Sequence, residues 1–295
     1  MSQWEETGAE EESSYISMAD MMVGLLLIFI ILLTYYVLQS RKTVEEAEAV
    51  RRVEQAATAA RRLVLDQIAE RVNDDRIEFD TATGTIRFSE DVLRFASGDD
   101  TIPQSAEVVL AAMADALAET IPCLAYLEDH NPVGNCEWIE AQFSDLEVNG
   151  RQLGPLEQFR GVDSQLIWID GIYIEGHTDC VPFGNDLGNW VLGASRAGHT
   201  YLYMTSHNTA LGRIFSRSPV AAVRQGDSHR VLGVASYADR RPARDMETGA
   251  HLADPLLSDD VAAACRQQSE AERERNRRID IRISMGWTTG TEASP

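Results

Sequence analysis

The chain has 295 residues, with 26 Lys and Arg against 47 Asp and Glu and a formal net charge of -21 at pH 7. This acidity argues against nucleic acid as a partner, because binding to phosphates needs a basic surface. Outside one membrane-length apolar run, the chain is long enough for one well-buried domain with a linker, or for two small domains.

The apolar run covers residues 18–38 and contains one acidic side chain, Asp20. About 20 apolar residues are enough to cross a bilayer as one helix. The preceding residues 1–17 hold five glutamates and no Lys or Arg. They therefore lack the basic start and the small-residue cleavage site of a signal peptide. We expect an acidic tail followed by an uncleaved single-pass anchor.

Asp20 is the residue of this run that most needs an explanation. A carboxylate costs roughly 2.5–3.5 kcal/mol at the centre of a membrane on insertion scales, and less near a helix end. Acidic residues inside a membrane commonly handle ions or protons. Two interpretations stay open, namely that Asp20 carries a transported ion or that it marks the cytoplasmic edge of the helix.

The orientation of the predicted membrane helix is indicated by two signals that disagree. Arg41 and Lys42 follow the run directly, and basic residues favour the cytoplasmic side. All four cysteines also follow the run: Cys123, Cys136, Cys180 and Cys265. An even set on one side of the helix fits one or two disulfides in an oxidising compartment. The sequence does not fix the connectivity. Our first choice is the pairs Cys123–Cys136 and Cys180–Cys265, with four free thiols as the alternative, and we expect a cytoplasmic N-terminus.

Residues 39–75 are predicted to form a helical linker. Within them Val53, Ala57, Ala60 and Val64 recur at helical spacing. This stripe fits a coiled segment that pairs with a second copy of the chain. A solvated linker helix is the alternative.

Residues 76–286 show the alternation of strand and helix patterns that is typical of an α+β domain. Strand patterns occur at 76–79, 85–88, 166–175, 231–235 and 278–285, and helix patterns at 107–120 and 189–206, with 269–275 helical or looped. Strands separated by helices predict a sheet with helices on one face. The more polar stretches 122–165 and 207–230 are interpreted as insertions, and 287–295 as a tail.

Three sequence blocks in this domain follow one another in a distinctive order. They are Glu175–Asp179 (EGHTD), Asn189–Ala197 (NWVLGASRA) and Asn276–Asp280 (NRRID). In these blocks the chain resembles OmpA-like peptidoglycan-binding domains, and the histidine and the Asn-Trp pair make it most similar to the MotB branch. The resemblance implies a βαβαβ domain that binds peptidoglycan.

The same resemblance implies a role for five residues. A peptidoglycan stem that contains meso-diaminopimelate offers both an ammonium and a carboxylate. Asp179 would take the ammonium, and the guanidinium of Arg196 would take the carboxylate in a bidentate pair. Asn189 and Thr178 would position the ligand or the loop, and Arg278 would line the site. The alternative is that Asp179 caps a turn and Arg196 pairs on the surface.

The chain departs from the family pattern at Gly193, where the family has a serine after the leucine. The helix thereby loses a hydroxyl, and glycine weakens a helix by roughly 1 kcal/mol. Together with the insertions and Cys180, this departure predicts weakened or altered wall binding.

The N-terminal pattern Ala19-Asp20 before an apolar helix resembles MotB-like stator subunits, in which this aspartate carries the transported ion. Combined with the linker and the downstream domain, the architecture is similar to flagellar stator B subunits and to ZorB subunits of Zorya anti-phage systems. The acidic tail, the insertions and the cysteines favour the Zorya-type relative. The resemblance implies an inner-membrane homodimer within five copies of a multi-span MotA- or ZorA-like subunit, a periplasmic C-terminal domain, and a proton as the transported ion.

Two other functions are compatible with parts of this sequence. A passive wall tether would have the same domain without an ion path. An enzyme could use His177 and Asp179 as a metal pair, with His199 and His207 as further ligands. Because no recognised metal-ligand spacing occurs, we predict no catalytic residue, no metal site and no cofactor.

Overall fold

The computed structural model describes residues 5–89, 91–127, 136–144, 147–148, 151–152, 155, 167–185, 187–216, 229–243 and 261–287. The chain divides into two compact units, residues 1–51 and 52–295. A single helix, α1, runs from Glu5–Val72 and contributes to both units. Most of the predicted tail 287–295 lies outside the described residues.

In the first unit, α1 begins within the predicted acidic tail and contains the whole predicted membrane span. Among the described residues it is the one helix long and apolar enough to cross a membrane, with a mean hydropathy of 2.6 over its most apolar window of 18 residues. Its large apolar side chains between Met18 and Leu38 are 41–72% exposed. A continuous apolar surface of this length suits contact with lipid tails.

In the second unit, the C-terminal part of α1 belongs to the domain core. Val53, Ala57, Ala60 and Val64 are buried there, together with Ile68. A second copy cannot pack on side chains that the chain's own domain already covers. These four residues therefore do not form the dimer seam proposed for them, and the predicted homodimer needs other contacts.

The remaining elements follow in chain order. They are β1 (Ile77–Asp80), β2 (Thr85–Phe88), α2 (Gln104–Thr120), β3 (Tyr126–Leu127), α3 (Glu137–Ser144), β4 (Glu147–Val148), β5 (Arg151–Gln152), β6 (Ile167–His177), α4 (Gly188–His207), β7 (Ile214–Phe215), β8 (Leu232–Ala238), α5 (Val261–Gln267), α6 (Glu270–Asn276) and β9 (Ile279–Trp287). Every strand and helix pattern noted in the sequence corresponds to one of these elements, with ends that differ by a few residues.

The main sheet has five strands in the order β1-β2-β9-β6-β8. Only β6 and β8 are parallel, and α4 connects them and packs on both. The other neighbours are antiparallel. This mixed sheet with its helices confirms the predicted α+β class. The stretch 166–175, which allowed one strand or two, forms one strand with a register shift between Ile169 and Gly171.

Alternation along the strands gives the sheet two different faces. Ile174 and Ile281 pair across β6 and β9 and are fully buried in the apolar core. The next residues along these strands, Glu175 and Arg282, form an ion pair with each other. The first face carries the apolar core, and the second carries charged and polar side chains.

The described parts of the two insertions, within 122–165 and 207–230, contribute helices, strands and buried side chains to the domain. In α3, Ile139 and Phe143 are fully buried, and their spacing of four residues gives that short helix an apolar face. Strand β3 of the first insertion pairs with β7 of the second. The disulfide Cys123–Cys136 closes this region, with the two Cα atoms 5.5 Å apart.

A close approach of two glycines fixes α4 against the sheet. A Cβ atom built at Gly176 in β6 would lie 1.8 Å from the carbonyl oxygen of Gly193 in α4. A Cβ at Gly193 would lie 2.5 Å from Ser236 Oγ and 3.0 Å from Gly176 O. Glycine at position 193, which departs from the family pattern, is therefore explained by packing between helix and strand.

The substitution Gly176→Ala should destabilise the domain strongly. Its methyl group meets a backbone carbonyl that cannot move away alone, and overpacking costs typically 1–3 kcal/mol and occasionally more. We expect a loss of roughly 3 kcal/mol in the free energy of unfolding, measured by urea denaturation. Gly198→Ala is the control, because no described heavy atom outside the local helix backbone lies within 4 Å of a Cβ there. It should stabilise α4 by up to about 1 kcal/mol. Similar values for the two variants would contradict the packing argument.

Candidate functional site

The three sequence blocks meet at the end of β6. The loop that follows this strand is held by two backbone hydrogen bonds, from Thr178 N to Ala238 O (2.9 Å) and from His177 N to Arg278 O (3.0 Å). These bonds join the first block to β8 and to the start of β9. Helix α4, which carries the second block, begins after the loop at Gly188.

Asp179 forms a buried ion pair that was not foreseen from the sequence. Its Oδ2 atom accepts a hydrogen bond from Arg277 Nη1 at 2.7 Å, and its Oδ1 atom accepts one from Val181 N at 3.1 Å. Arg277 also donates to Glu270 Oε1 at 2.8 Å. Burial opposes the charge of Arg277, but the bonds to Asp179 and Glu270 outweigh it and raise the pKa of its guanidinium. Arg277 is the first arginine of the NRR block, and its place in that block is the sequence signal that could have identified it as a site residue.

Arg196 is fully enclosed, with a side-chain exposure of 0%. Its guanidinium donates to Asp99 O (2.8 Å), Ala96 O (3.0 Å) and His177 O (3.3 Å). Burial lowers its pKa to about 10, although nearby Asp179 acts in the opposite direction. The alternative of a surface pair is therefore wrong for Arg196. In this structure the Arg196 guanidinium does not face a ligand's carboxylate, because backbone carbonyls accept its hydrogen bonds.

Thr178 and Asn189 lie next to Asp179 and leave two polar atoms without partners. Asn189 Nδ2 donates to Asp179 O at 3.3 Å. Thr178 Oγ1 and Asn189 Oδ1 are buried and have no hydrogen-bond partner among the described residues. Buried polar atoms are almost always hydrogen-bonded, so each such exception needs a ligand, a water or another explanation. Together with the Asp179 carboxylate, the Thr178 hydroxyl and the Asn189 amide oxygen make three groups in this region that can accept hydrogen bonds.

Arg278 joins a different group of charges from the one around Asp179. Its Nε atom donates to Asp280 Oδ2 at 3.1 Å, and its Nη2 atom donates to Arg241 O at 3.1 Å. Arg87 also donates to both carboxylate oxygens of Asp280. Burial opposes ionisation of Asp280, but the charges of Arg278 and Arg87 outweigh it and hold its pKa below the usual range. None of the contacts described for Arg278 is with Asp179 or Arg196.

His177 is buried beside this second charge group. Its Nε2 atom lies 3.5 Å from Asp280 Oδ2, and its ring stacks on Tyr237 with centroids 5.7 Å apart. Burial, together with the positive charge of Arg278, lowers its pKa to about 3. The ring is therefore neutral at pH 7.

The proposed metal set is not assembled among the residues that the structure describes, where no three His, Cys, Asp or Glu side chains gather as ligands. His199 Nδ1 lies 2.9 Å from Asp100 O, and His207 Nε2 lies 3.1 Å from Asp115 Oδ2. Because these two histidines have partners separate from those of His177, the arrangement does not favour the metalloenzyme alternative.

A disulfide fixes the loop next to Asp179. Cys180 and Cys265 are bonded, with their Cα atoms 5.8 Å apart. This bond ties the Asp179 loop to α5, which is 85 residues away in sequence. Both disulfides are the pairs favoured from the sequence.

A search of protein-family models found no match for this chain. A search of curated proteins found no match either. Among solved structures, the chain is similar to the cell wall anchor of the T6SS from Pseudomonas aeruginosa (15% identity, 76% of this chain and 96% of that chain, TM-score 0.36). It is also similar to the periplasmic domain of Helicobacter pylori MotB (13%, 70% and 86%, 0.34) and to a putative MotB-like protein from Desulfovibrio vulgaris (18%, 81% and 97%, 0.32). At these TM-scores and identities, the similarities carry no argument about function.

The buried His177 should make the domain sensitive to acid. Its pKa is about 3 in the folded chain against 6.5 for an ordinary histidine, so at intermediate pH only the unfolded chain binds this proton. The free energy of unfolding therefore has its full value above about pH 6.5. Below that pH, this one group lowers it by about 1.4 kcal/mol per pH unit. Urea denaturation at about pH 7 and about pH 5 should show a smaller loss for His177→Gln than for the wild type. The exposed His229→Gln is the control and should keep the wild-type loss. Equal losses in all three proteins would contradict this account.

Proposed function

We propose that this chain is the wall-anchored B subunit of an ion-driven membrane stator, with its C-terminal domain bound to peptidoglycan. The observation that carries the wall-binding part is a pair of buried atoms without partners among the described residues, Thr178 Oγ1 and Asn189 Oδ1. Thr178 precedes Asp179 in the chain, and Asn189 Nδ2 donates to Asp179 O. Three acceptor groups on Thr178, Asp179 and Asn189 would match an ammonium group, which has three N–H donors. The resemblance of the three sequence blocks to OmpA-like domains supports the same ligand, a peptidoglycan stem.

Binding of the ligand's carboxylate requires the site to open at Arg196. Its three present acceptors are carbonyl oxygens, two of them in the segment 96–99. A carboxylate makes stronger, charge-assisted hydrogen bonds to a guanidinium than a carbonyl does. The ligand therefore competes with segment 96–99 for Arg196, and the segment moves away when the stem binds. Asp179 keeps Arg277 as its partner while it receives the ammonium.

The ion-carrying role is proposed for Asp20. It is the one acidic residue in the run 18–38, and this run contains no Lys or Arg that could neutralise it. A multi-span MotA- or ZorA-like partner, in five copies around a homodimer, would complete a path for protons past this carboxylate. Protonation changes the charge of Asp20 and thereby its contacts with the partner, while wall binding holds this subunit still.

For the biological role we propose anti-phage defence of the Zorya type. The acidic N-terminal segment, the two insertions and the cysteines support this choice over a flagellar stator. A passive tether between the inner membrane and the wall is the second candidate. A tether would use the same wall-binding domain and would need no ion path past Asp20.

Thr178→Val should weaken wall binding without disturbing the fold. The substitution removes Oγ1, which has no partner among the described residues, and keeps the size and branching of the side chain. Loss of one hydrogen bond to a charged ligand predicts about tenfold weaker binding. Cosedimentation of the full chain, in detergent, with purified peptidoglycan measures this effect. The exposed Asp170→Asn is a control that should bind as the wild type does. Unchanged binding of Thr178→Val and Asp179→Asn would sink the assignment of this site.

Asp20→Asn separates a stator from a tether. The variant should insert into the membrane and bind peptidoglycan like the wild type, because only a carboxylate oxygen is replaced. It should abolish phage protection in cells that also express the neighbouring multi-span subunit, and Asp20→Glu should retain part of it. The efficiency of phage plating is the measurement. Full phage protection by Asp20→Asn would favour the tether. If the wild-type chain restores swimming and gives no phage protection, the flagellar role is favoured.

A further inference from the structure

A cleft of about 530 Å³ beside the start of β9 is lined by an unusual concentration of basic side chains. Five of the chain's 26 basic residues line it: Arg76, Arg87, Arg275, Arg277 and Arg278. Three acidic residues share the lining: Asp75, Glu78 and Asp91. Positive groups therefore outnumber negative ones here, although the chain as a whole has a net charge of -21. Neither Asp179 nor Arg196 lines this cleft.

Arg278 provides a buried donor at this cleft. The side chain is 94% buried, since its exposure is 6%. Its Nε and Nη2 atoms are bonded to Asp280 and to Arg241 O, whereas Nη1 has no hydrogen-bond partner among the described residues. Leaving a buried donor of a charged group without a hydrogen bond costs free energy. The arginine is held in place on two sides and has one N–H group left for a ligand.

Ser89 and Glu78 add a second donor and an acceptor to the same lining. Ser89 Oγ is buried and has no partner within the described part of the chain. Glu78 Oε2 accepts no hydrogen bond there either, although Arg87 Nη1 lies 3.5 Å away. Two donors match the two oxygens of a carboxylate, and the acidic groups match an ammonium on the same ligand. A phosphate dianion fits less well, because three acidic side chains share the cleft.

We propose that this cleft is a second binding site, which takes the carboxylate of a zwitterionic amino acid or short peptide on Arg278 Nη1 and Ser89 Oγ. The ammonium of the ligand lies toward Glu78. Phe88 and Leu93 line the cleft as well and supply apolar contact for the ligand's carbon chain. Arg277 lines the cleft and also bonds to Asp179, but the ligand contacts proposed here use neither Asp179 nor Arg196. The proposal does not depend on the function proposed for that site.

Isothermal titration of the full chain in detergent with the tripeptide L-Ala–D-Glu–meso-diaminopimelate tests this inference. Ser89→Trp should abolish binding at the cleft by filling it. Arg278→Lys keeps the charge next to Asp280 but loses the fork geometry, and it should weaken binding by about tenfold. Ser206→Ala is the matched control, because its hydroxyl bonds to Tyr203 O on the exposed side of α4. Thermal unfolding of each variant verifies the fold.

The outcomes distinguish the two sites. A binding event lost in Ser89→Trp and weakened in Arg278→Lys, but retained in Thr178→Val and Ser206→Ala, supports the cleft. Binding that is lost only in Thr178→Val would place the peptide at Asp179 and overturn the inference. Inorganic phosphate titrated in parallel should bind more weakly than the tripeptide. Tighter binding of phosphate, or no binding of the tripeptide, would overturn it as well.

Discussion

Two consecutive arginines directly before β9 form the buried ion pairs on which the site depends. Arg277 bonds to Asp179 at 2.7 Å, and Arg278 bonds to Asp280 at 3.1 Å. All four side chains are buried. Breaking a buried ion pair by removing one partner costs roughly 3–5 kcal/mol, because the other charge is left uncompensated. The end of β6 and the start of β9 are thus fixed to each other by charge as well as by the sheet.

Near these pairs lie several buried polar atoms that lack hydrogen-bond partners within the described part of the chain. Thr178 Oγ1 and Asn189 Oδ1 lie on one side of the pairs, and Arg278 Nη1 and Ser89 Oγ lie at the cleft. Ion pairs that fix the surrounding strands favour selective binding, since a ligand must match the atoms that remain unpaired. The same rigidity suits a subunit whose proposed task is to stay still while a partner moves.

The sequence was informative where local pattern determines structure, and less so where distant residues meet. Alternation predicted β1, β2 and β9, and helical spacing predicted α2. The enclosure of Arg196 could not be predicted, because its partners Ala96 and Asp99 lie about a hundred residues earlier in the chain. The stripe through Val53 was misassigned for a different reason. An apolar stripe has the same period whether it packs on a second copy or on its own domain.

Gly193 illustrates how a departure from a family pattern can be compensated elsewhere. The missing serine hydroxyl predicted a weaker site. In the structure, Ser236 Oγ lies 2.5 Å from the position of a Cβ at residue 193 and donates to Trp190 O at 2.9 Å. A hydroxyl from β8 therefore occupies the space next to α4 that a serine at 193 would need. Since Gly193 also permits the close contact with Gly176, the smaller residue and the hydroxyl on β8 form one packing solution. The helix that carries Asn189 and Arg196 is consequently held tightly against β6 and β8.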